Sequence, residues 1–393
     1  MQIPKRVMNR LTLSNIGPID QADLTLGDLT LLIGPQATGK SIALQFLKLV
    51  VDAAQIQQEL RLHGLDWSGR LPEFFDIYFG EGMRSIWREK NSAVTWAGRP
   101  VDVGRLIARR RRPADETLAF IPAQRVLTLR DGWPRPFTDY SPGDPFAVRA
   151  FSERLRLLVE SDLGANENLF PQKHRLKREL REPLEQSVFG GFGLHVDKSR
   201  VQKRLVLGMP GDRQGAAVNL PFMVWSAGQR EFVPLLLGLY QLLPRTKRSR
   251  SGAIRWVVLE DLEMGLHPRA INVLLLMVLD LLARGYRVCL STHTPQVLEA
   301  VWAMRQLKRH GGSASDVLEL FSANRTQPML RLAESALKIT SKIHYFDPLT
   351  RCTQDISDLD LTGGNQATWG GLIESSERAN AIVARVAAQG ARQ

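Results

Sequence analysis

The sequence predicts an α/β fold in which a parallel β-sheet carries a phosphate-binding loop at the carboxyl ends of its strands. The first observation is a glycine-rich loop at residues 34–41, placed between the apolar run Leu29–Ile33 and a helix-like stretch. The second is an alternation of strand-like and helix-like segments over residues 255–308, which is typical of a parallel sheet. The third is a pair of adjacent acids, Glu260 and Asp261, at the end of an apolar strand, where open α/β sheets bind their ligands.

The loop matches the pattern G-x-x-x-x-G-K-[ST] at every fixed position. Backbone N–H groups of such a loop and of the helix that follows it converge on anionic oxygen. We expect Lys40 to reach the β- and γ-phosphates of a nucleotide and the Ser41 hydroxyl to hold Mg²⁺. A glycine turn with a solvated lysine is the alternative, and the flanking strand and helix argue against it. The predicted nucleotide-binding residues are Gly34, Gln36, Ala37, Thr38, Gly39, Lys40 and Ser41.

Short apolar runs bounded by turn residues predict the strands, and longer stretches with helical periodicity predict the helices. Ser226, followed three residues later by Gln229, has the spacing of a capping box that begins a helix. The predicted strands are 8–13, 22–26, 29–33, 118–122, 205–209, 216–220, 255–259 and 286–291. The predicted helices are 41–60, 226–243, 268–284 and 295–308, together with helices within 146–186. A linker, a hairpin and a terminal helix are predicted at 311–313, 342–356 and 373–388.

The composition of the 393-residue chain is that of a globular protein, with 44% hydrophobic and 23% charged residues. Cys289 lies in an apolar run and Cys352 in a polar one, so there is no disulfide framework and no metal-ligand spacing. We therefore expect a reducing, cytoplasmic compartment. The longest apolar stretches, 232–243 and 270–283, are too short to span a bilayer, so we expect no direct membrane insertion.

The net charge is +12, and basic residues cluster at 109–112, 173–181 and 245–250. Such clusters suit contact with nucleic-acid phosphate. Solvated loops and a charged helix face are the alternative, because no nucleic-acid-reading motif accompanies these runs. Charge alone therefore does not decide whether the protein binds nucleic acid.

The acids after strand 255–259 have the chemistry of a hydrolytic site. One carboxylate of the Glu260 and Asp261 pair would hold the Mg²⁺ shell, and the next would polarise the attacking water. An ordinary acidic strand end is the alternative. Glu263, followed by His267 and Pro268, favours the catalytic interpretation.

Two further groups suit a phosphate. Ser226 would present a hydroxyl and free N–H groups at a helix N-terminus, although helix capping alone also explains it. His293 follows the apolar strand 286–291 and could contact the γ-phosphate or the attacking water, whereas a structural histidine is the alternative.

Taken in order, these motifs resemble those of the ATP-binding-cassette (ABC) class of P-loop ATPases. The chain looks most like the soluble branch that contains SMC-like repair ATPases and the ATPase modules of overcoming-lysogenization-defect (OLD) nucleases. The resemblance covers residues 8–50, 118–130 and 186–310. Gly34–Ser41 matches Walker A, Ser226–Gln229 is similar to the signature motif L-S-G-G-Q, Glu260–Asp261 matches Walker B, Glu263–Pro268 resembles the acidic-then-His-Pro run of OLD-type ATPases, and His293 matches the switch histidine.

The resemblance implies an ABC-type mixed sheet, ATP and Mg²⁺ as cofactors, and a homodimer or higher homo-oligomer. The residues implied to act in trans on the partner's nucleotide are Ser226, Ala227, Gly228 and Gln229. The implied metal-contacting residues are Ser41, Gln124 (as a Q-loop glutamine) and Glu260. The implied catalytic residues are Asp261, Glu260, His293 and Glu263.

The sequence departs from the family pattern at several positions. Trp225 and Ala227 replace the usual Leu and first Gly of the signature motif. The Walker B pair is Glu-Asp rather than Asp-Glu, so either Asp261 or Glu263 could be the general base. The segment between the Walker motifs is too short and irregular for a long coiled coil. Nothing after residue 310 resembles a Toprim nuclease, so we expect no nuclease activity.

The predicted domains follow from the placement of these motifs. They are the N-terminal part of an ATPase core at 1–60 and 116–130, an inserted and largely helical region at 61–115 and 131–186, the C-terminal part of the core at 187–310, and a C-terminal cap or partner-docking α+β segment at 311–393.

Two functions fit this organisation. The first is an ATP-hydrolysing switch or scaffold for a separate effector protein, in anti-phage defence or DNA maintenance. The second is the soluble ATPase subunit of a membrane transporter, which would receive a coupling helix near the Q-loop. The insertion and the Glu-x-x-x-His-Pro run favour the first. A small-molecule P-loop kinase fits less well, because it would need neither the signature-like turn nor His293.

Overall fold

The structure is a computed structural model that describes residues 9–109, 112, 114–162, 168–172, 174–198, 202–209, 218–243 and 252–358. Its strands are β1 (Arg10–Ile16), β2 (Ile19–Thr25), β3 (Leu29–Ile33), β4 (Ala93–Trp96), β5 (Arg99–Val101), β6 (Leu118–Ile121), β7 (Leu129–Arg130), β8 (Trp133–Pro134), β9 (Asn168–Phe170), β10 (Gly193–Asp197), β11 (Arg204–Met209), β12 (Val218–Pro221), β13 (Trp256–Glu260), β14 (Arg287–Thr292), β15 (Ser341–Phe346) and β16 (Thr353–Asp355). Its helices are α1 (Lys40–Leu62), α2 (Leu71–Tyr78), α3 (Val103–Ala108), α4 (Phe146–Leu157), α5 (Arg178–Ser187), α6 (Ala227–Leu242), α7 (Pro268–Ala283), α8 (Pro295–Arg309), α9 (Ala314–Leu320) and α10 (Gln327–Ala336). Basic residues 110, 111, 173 and 245–250, the start of the strand predicted at 216–220, and the terminal helix predicted at 373–388 lie outside the described residues.

The central sheet has six strands in the order β16-β15-β3-β14-β13-β6. The strands from β15 to β6 run parallel, and β16 is antiparallel to β15. The register places Ile33 opposite Thr292, and Leu259 opposite both Leu290 and Ile121. The predicted parallel sheet and the mixed α/β class are confirmed. The carboxyl ends of β3, β14, β13 and β6 therefore meet at one edge of the sheet.

Both faces of this sheet are covered. Successive residues of β3 point to opposite faces, so Leu31 packs with α6 and α7, whereas Leu32 packs with α1 and β1. Burial on both sides explains why β3, β13 and β14 are continuous apolar runs. Cys289 on β14 is buried, as predicted, and burial raises the pKa of its thiol to about 12.

The segment 61–115 supplies strands as well as helices. β4 pairs with β1 in an antiparallel sheet of order β2-β1-β4-β5, and buried Val94 lies opposite Leu13. Ala97 and Gly98 connect β4 to β5, and both have positive φ, at 51° and 76°. Two such residues form the turn that suits a two-residue hairpin. The sequence prediction of a largely helical region missed this hairpin, although the Ala-Gly turn is its local signal.

The segment 131–186 and the chain after it also mix helix and strand. α4 and α5 confirm the helices predicted within 146–186, but β9 lies between them. β9 forms the edge of a second antiparallel sheet of order β12-β11-β10-β9. Phe170 from this sheet and Phe189 after α5 stack on each other, and Phe189 also contacts Phe232 of α6. The second sheet thus supports the helix that begins at Ser226.

The predicted linker at 311–313 is a tight helix–helix turn. Gly311 has φ +75°, and Ser313 caps α9 in a capping box with Asp316. The turn returns the chain onto the core, where Val317 and Leu332 are buried. The predicted hairpin is confirmed as β15 and β16, and β15 pairs directly with β3. The domain boundaries stay a prediction, but residues 314–358 extend the central sheet.

Within the part of the chain that the structure describes, no helix combines the length and the apolar character needed to cross a bilayer.

Candidate functional site

The glycine-rich loop lies between β3 and α1, at the edge where the parallel strands end. Gly34 and Gly39 have φ of 140° and 98°, and both lie against other chain segments. A Cβ atom on Gly34 would lie 2.6 Å from the carbonyl oxygen of Phe346, and one on Gly39 would lie 2.5 Å from Cγ1 of Ile19. Both glycines are therefore required by close approach as well as by conformation. No side chain caps the start of α1, which leaves its first N–H groups directed at the loop.

Lys40 is the first residue of α1, and it is only 5% exposed. Its Nζ atom donates to the carbonyl oxygens of Gly34 and Pro35, each at 2.7 Å. Burial lowers the pKa of Lys40 to about 8, and the nearby carboxylates of Asp261, Glu263 and Glu260 oppose that shift. The amine is thus held inside its own loop, with three acids close enough to influence its charge.

Glu260 ends β13 and is almost completely buried. Its Oε2 atom accepts a hydrogen bond from the backbone N–H of Ala123 at 3.2 Å, and the Ser41 side chain lies close enough to lower its pKa. Its Oε1 atom has no partner among the described residues. Burial raises the pKa of Glu260 to about 7, although the Ser41 side chain and the N–H of Ala123 lower it. The pairing of Ser41 with an acid that has an unused oxygen fits a divalent cation held between them.

Asp261 directly follows β13 in a left-handed backbone conformation, with φ 44°. Its N–H donates to the carbonyl oxygen of Ser291 at 3.1 Å, and its Oδ1 atom accepts from the Ser291 hydroxyl at 3.0 Å. The same Oδ1 lies 3.9 Å from Nε2 of His293, whose side chain is 33% exposed. The structure therefore brings Asp261 and His293 together at the rim of the site.

Glu263 lies in the loop between β13 and α7 and joins that loop to the end of β14. Its Oε1 atom accepts from the Thr292 hydroxyl at 2.7 Å and from the His293 N–H at 2.8 Å. Its Oε2 atom is buried and has no partner among the residues described. Downstream, His267 caps α7, because its Nδ1 accepts from the Arg269 N–H at 3.3 Å. Glu263 is thus a structural bridge that keeps one oxygen free.

Arg125 is a central residue that the sequence analysis did not identify. Its guanidinium is fully buried and donates to the carbonyl oxygens of Glu231, Glu260 and Asp261 at 3.1, 2.9 and 3.0 Å. The neighbouring Gln124, predicted to contact metal, has an exposed side chain. One feature of the sequence could have identified Arg125: it follows a buried apolar strand by four positions. A cation buried at such a place needs hydrogen-bond acceptors inside the protein.

The signature-like turn begins α6. Gln229 N–H donates to the Ser226 hydroxyl at 3.2 Å, and the Ser226 N–H donates to Oε1 of Gln229 at 2.9 Å, which confirms the predicted capping box. Ser226 and Ala227 are exposed. A Cβ atom on Gly228 would lie 2.6 Å from the carbonyl oxygen of Gly265, so the turn lies directly on the loop that follows β13. In the described part of the chain, no hydrogen bond joins Ser226 to Lys40.

Comparison with known proteins shows which protein family this part of the chain resembles. Residues 137–299 match the family model described as an AAA domain, putative AbiEii toxin, type IV toxin–antitoxin system. The matched stretch contains Ser226–Gln229, Glu260, Asp261 and His293, and the glycine-rich loop precedes it. No curated protein matches the chain. The sheet, the loop and the family match together support the fold of a P-loop NTPase.

Solved structures of SMC head domains are also similar to this chain. One is the SmcHead bound to the C-winged helix domain of ScpA, at 11% identity and a TM-score of 0.35. The other is the SMC head domain from Thermotoga maritima, at 10% identity and a TM-score of 0.29. Each similarity covers 72% of this chain and 89% of the other.

Proposed function

We propose that this protein binds ATP with Mg²⁺ and hydrolyses it at the edge where β3, β13 and β14 end. The observation that carries this proposal is the arrangement of Glu260, Asp261 and Glu263 near the buried amine of Lys40. A lysine inside a phosphate loop neutralises the β- and γ-phosphates, and the acids opposite serve the metal and the attacking water.

Ser41 and Glu260 are the residues that would hold the metal ion. The Ser41 side chain lies close enough to Glu260 to lower its pKa, and Oε1 of Glu260 has no partner among the described residues. Hydroxyl and carboxylate oxygens are the ligands that Mg²⁺ prefers. Bound with ATP, Mg²⁺ would neutralise charge on the phosphate oxygens. Gln124 is exposed near this pair and would reach the metal only after its loop moves inward.

Asp261 is the general base in this proposal. Its carboxylate lies at the rim beside His293, where an attacking water would meet the γ-phosphate. Ser291 of β14 fixes Asp261, and Glu263 of the loop after β13 fixes the His293 backbone. Glu263 therefore positions His293, and His293 contacts the γ-phosphate or the attacking water.

The signature-like turn acts in trans in this proposal. Ser226 and Ala227 are exposed at the start of a capped helix, and no bond ties Ser226 to Lys40 of its own loop in the described residues. A helix N-terminus with a free hydroxyl suits a phosphate. Two copies would pair head-to-tail around two ATP molecules, with Ser226, Gly228 and Gln229 of one copy completing the partner's site.

We further propose that the ATP-dependent pair is a cytoplasmic switch or scaffold for a separate effector in anti-phage defence or DNA maintenance. The match to a family described as a putative toxin of a toxin–antitoxin system supports a defence role. The basic clusters at 109–112, 173–181 and 245–250 support nucleic acid as a further partner.

The test is ATP turnover by the purified protein. Wild type should release phosphate from ATP in a Mg²⁺-dependent reaction, and Lys40→Ala should neither bind nor hydrolyse ATP. Lys338→Ala is a matched control, because Lys338 is exposed and lies in the turn that follows α10. A folded Lys40→Ala protein with wild-type ATP affinity would refute the site.

A further inference from the structure

The fully buried guanidinium of Arg125 connects three parts of the site. Its Nη1 and Nη2 atoms donate to the carbonyl oxygens of Glu260 and Asp261, at the end of β13. Its Nε atom donates to the carbonyl oxygen of Glu231 at 3.1 Å and lies 3.4 Å from Oε2 of the same residue. Glu231 belongs to α6, the helix whose first turn presents Ser226. One side chain thus joins the acids of the site to the signature-like helix.

The segment that carries Arg125 also contacts the acid proposed to hold metal. The N–H of Ala123 donates to Oε2 of Glu260 at 3.2 Å. Arg125 therefore lies two residues from a direct contact with the Glu260 carboxylate and itself binds α6. Residues 123–125 thus contact the Glu260 carboxylate at one end and α6 at the other.

The hydrogen bond from Arg125 to the carbonyl oxygen of Asp261 also restrains the Asp261 backbone. Its left-handed backbone, φ 44°, is unfavourable for a non-glycine residue and persists only where its surroundings hold it. Ser291 holds the N–H side of Asp261, and Arg125 holds its carbonyl oxygen. Both contacts hold the backbone from which the carboxylate projects.

We propose that Arg125 is a positioning residue that couples the carboxylates of each site to the signature-like turn offered to the partner. The planar fork of a guanidinium serves three carbonyl oxygens at once, which a lysine amine cannot do in the same place. The coupling works through geometry, because Arg125 itself touches no reacting atom. This inference rests on the proposed ATPase function.

The experiment compares Arg125→Lys with wild type and with Arg130→Lys, an exposed arginine paired with Asp139. Folding is measured by thermal unfolding, ATP affinity by equilibrium titration, pairing by sedimentation with and without ATP, and turnover by phosphate release. We expect Arg125→Lys to bind ATP within about threefold of wild type while kcat falls at least about tenfold and ATP-dependent pairing weakens. Arg130→Lys should match wild type in every measurement.

A second variant separates positioning from loss of fold. Arg125→Gly should lose turnover, and guanidinium at low, non-denaturing concentration should restore part of kcat by occupying the vacated space. Urea at the same concentration has the same shape without the charge, and it should restore nothing. Rescue by guanidinium alone supports the inference. The inference is overturned if guanidinium and urea have equal effects. It is also overturned if guanidinium fails to restore kcat in an Arg125→Gly protein that binds ATP normally.

Failure of the inference can be distinguished from failure of the proposed function. If wild type hydrolyses no ATP, the ATPase proposal itself is wrong, and the inference is wrong with it. If wild type is active and Arg125→Lys keeps its kcat and its pairing, only the inference is wrong. A fall in kcat with unchanged ATP-dependent pairing also refutes the coupling.

Discussion

Lys40 must change partners when a nucleotide binds. Its amine donates to the carbonyl oxygens of Gly34 and Pro35 in the structure. Phosphate oxygens would replace those neutral acceptors by charged ones, which form stronger hydrogen bonds with an ammonium. The protonation states of Lys40 and Glu260 therefore control the first step of the proposed reaction.

The pH dependence of ATP hydrolysis follows from these two residues. The pKa of Lys40 is lowered to about 8, so its charge is lost as pH rises past about 8. The pKa of Glu260 is raised to about 7, so its charge is lost as pH falls below about 7. We expect the plot of kcat/KM against pH to be bell-shaped, with its maximum between these two pKa values. The pH dependence of kcat/KM reports the pKa values of the free enzyme.

A simpler measurement tests the alkaline side of this pH profile separately. ATP binding without Mg²⁺ should weaken above about pH 8 in wild type as Lys40 loses its proton. In Glu260→Gln the weakening should begin at a lower pH, because one of the carboxylates that oppose the lowering of the Lys40 pKa is gone. A flat binding profile through that range would contradict the assignment to Lys40.

The general base is tested by two isosteric substitutions. Asp261→Asn should still bind ATP and lose turnover on the order of 10²-fold or more, because an amide cannot accept the proton of the attacking water. Glu263→Gln should lose less, because its contacts to Thr292 and His293 are structural. Phosphate-release assays decide between them. The reverse order would make Glu263 the base.

At the scale of elements, a buried charge network joins α1, β6 and α4. Lys48 donates to Asp52, to Glu116 and to the carbonyl oxygen of Leu118, each at 2.7 Å. Asp52 departs from helical geometry and accepts N–H groups at the start of β6. Arg154 of α4 binds Glu116 as well. The network fixes the strand that leads to Ala123.

This network predicts an acid-sensitive component of stability. Burial raises the pKa of Glu116, but Arg154 and Lys48 outweigh it and hold the pKa at about 2. Because the folded pKa lies below the unfolded value of 4.5, the stabilisation is complete above about pH 4.5 and is lost as pH falls toward about 2. Denaturant unfolding should show Glu116→Gln clearly less stable than wild type at neutral pH and converging with it in acid. Glu319→Gln, at an exposed pair with Arg325, should follow wild type throughout.

The contact between α6 and the loop after β13 predicts a steric effect. Gly228→Ala would place its methyl group 2.6 Å from the carbonyl oxygen of Gly265, and backbone must move to relieve it. We expect ATP binding to persist while kcat falls, as phosphate-release and titration experiments can measure. Gly104→Ala is the control, because its nearest neighbour is Oδ1 of Asp102 at 3.5 Å. Wild-type kcat in Gly228→Ala would argue against a functional role for this contact.

At the scale of the whole molecule, the proposed trans arrangement predicts that Ser226 of one copy acts on the nucleotide of a second copy. Ser226→Arg should leave ATP binding nearly intact but prevent ATP-dependent pairing and turnover, because bulk and charge would block the interface. Sedimentation with and without ATP measures the pairing.

Ser313→Arg is a closely matched control, because Ser313 also caps a helix in a capping box. Either substitution removes a cap worth about 1 kcal/mol, so a difference between them reports the interface rather than helix stability. A strict monomer that hydrolyses ATP would refute the trans arrangement.

The sequence by itself determined the elements whose signals are local. The glycine-rich loop with its strand and helix, the capping box at Ser226 and the apolar runs of β13 and β14 each depend on neighbouring residues, and each is present in the structure. The parallel order of the sheet followed from their alternation. Site roles for Asp261, Glu263 and His293 remain predictions, although the structure places these residues together.

Tertiary structure alone decided what depends on contacts distant in sequence. Arg125 meets Glu260 across 135 positions, and no local pattern records that pairing. The same holds for β4 beside β1, and for β15 beside β3, which brings the 314–358 segment against the phosphate loop. The raised pKa of Glu260 likewise comes from burial among other elements. Local sequence encodes propensity and capping, whereas desolvation and long-range pairing exist only once the chain has folded.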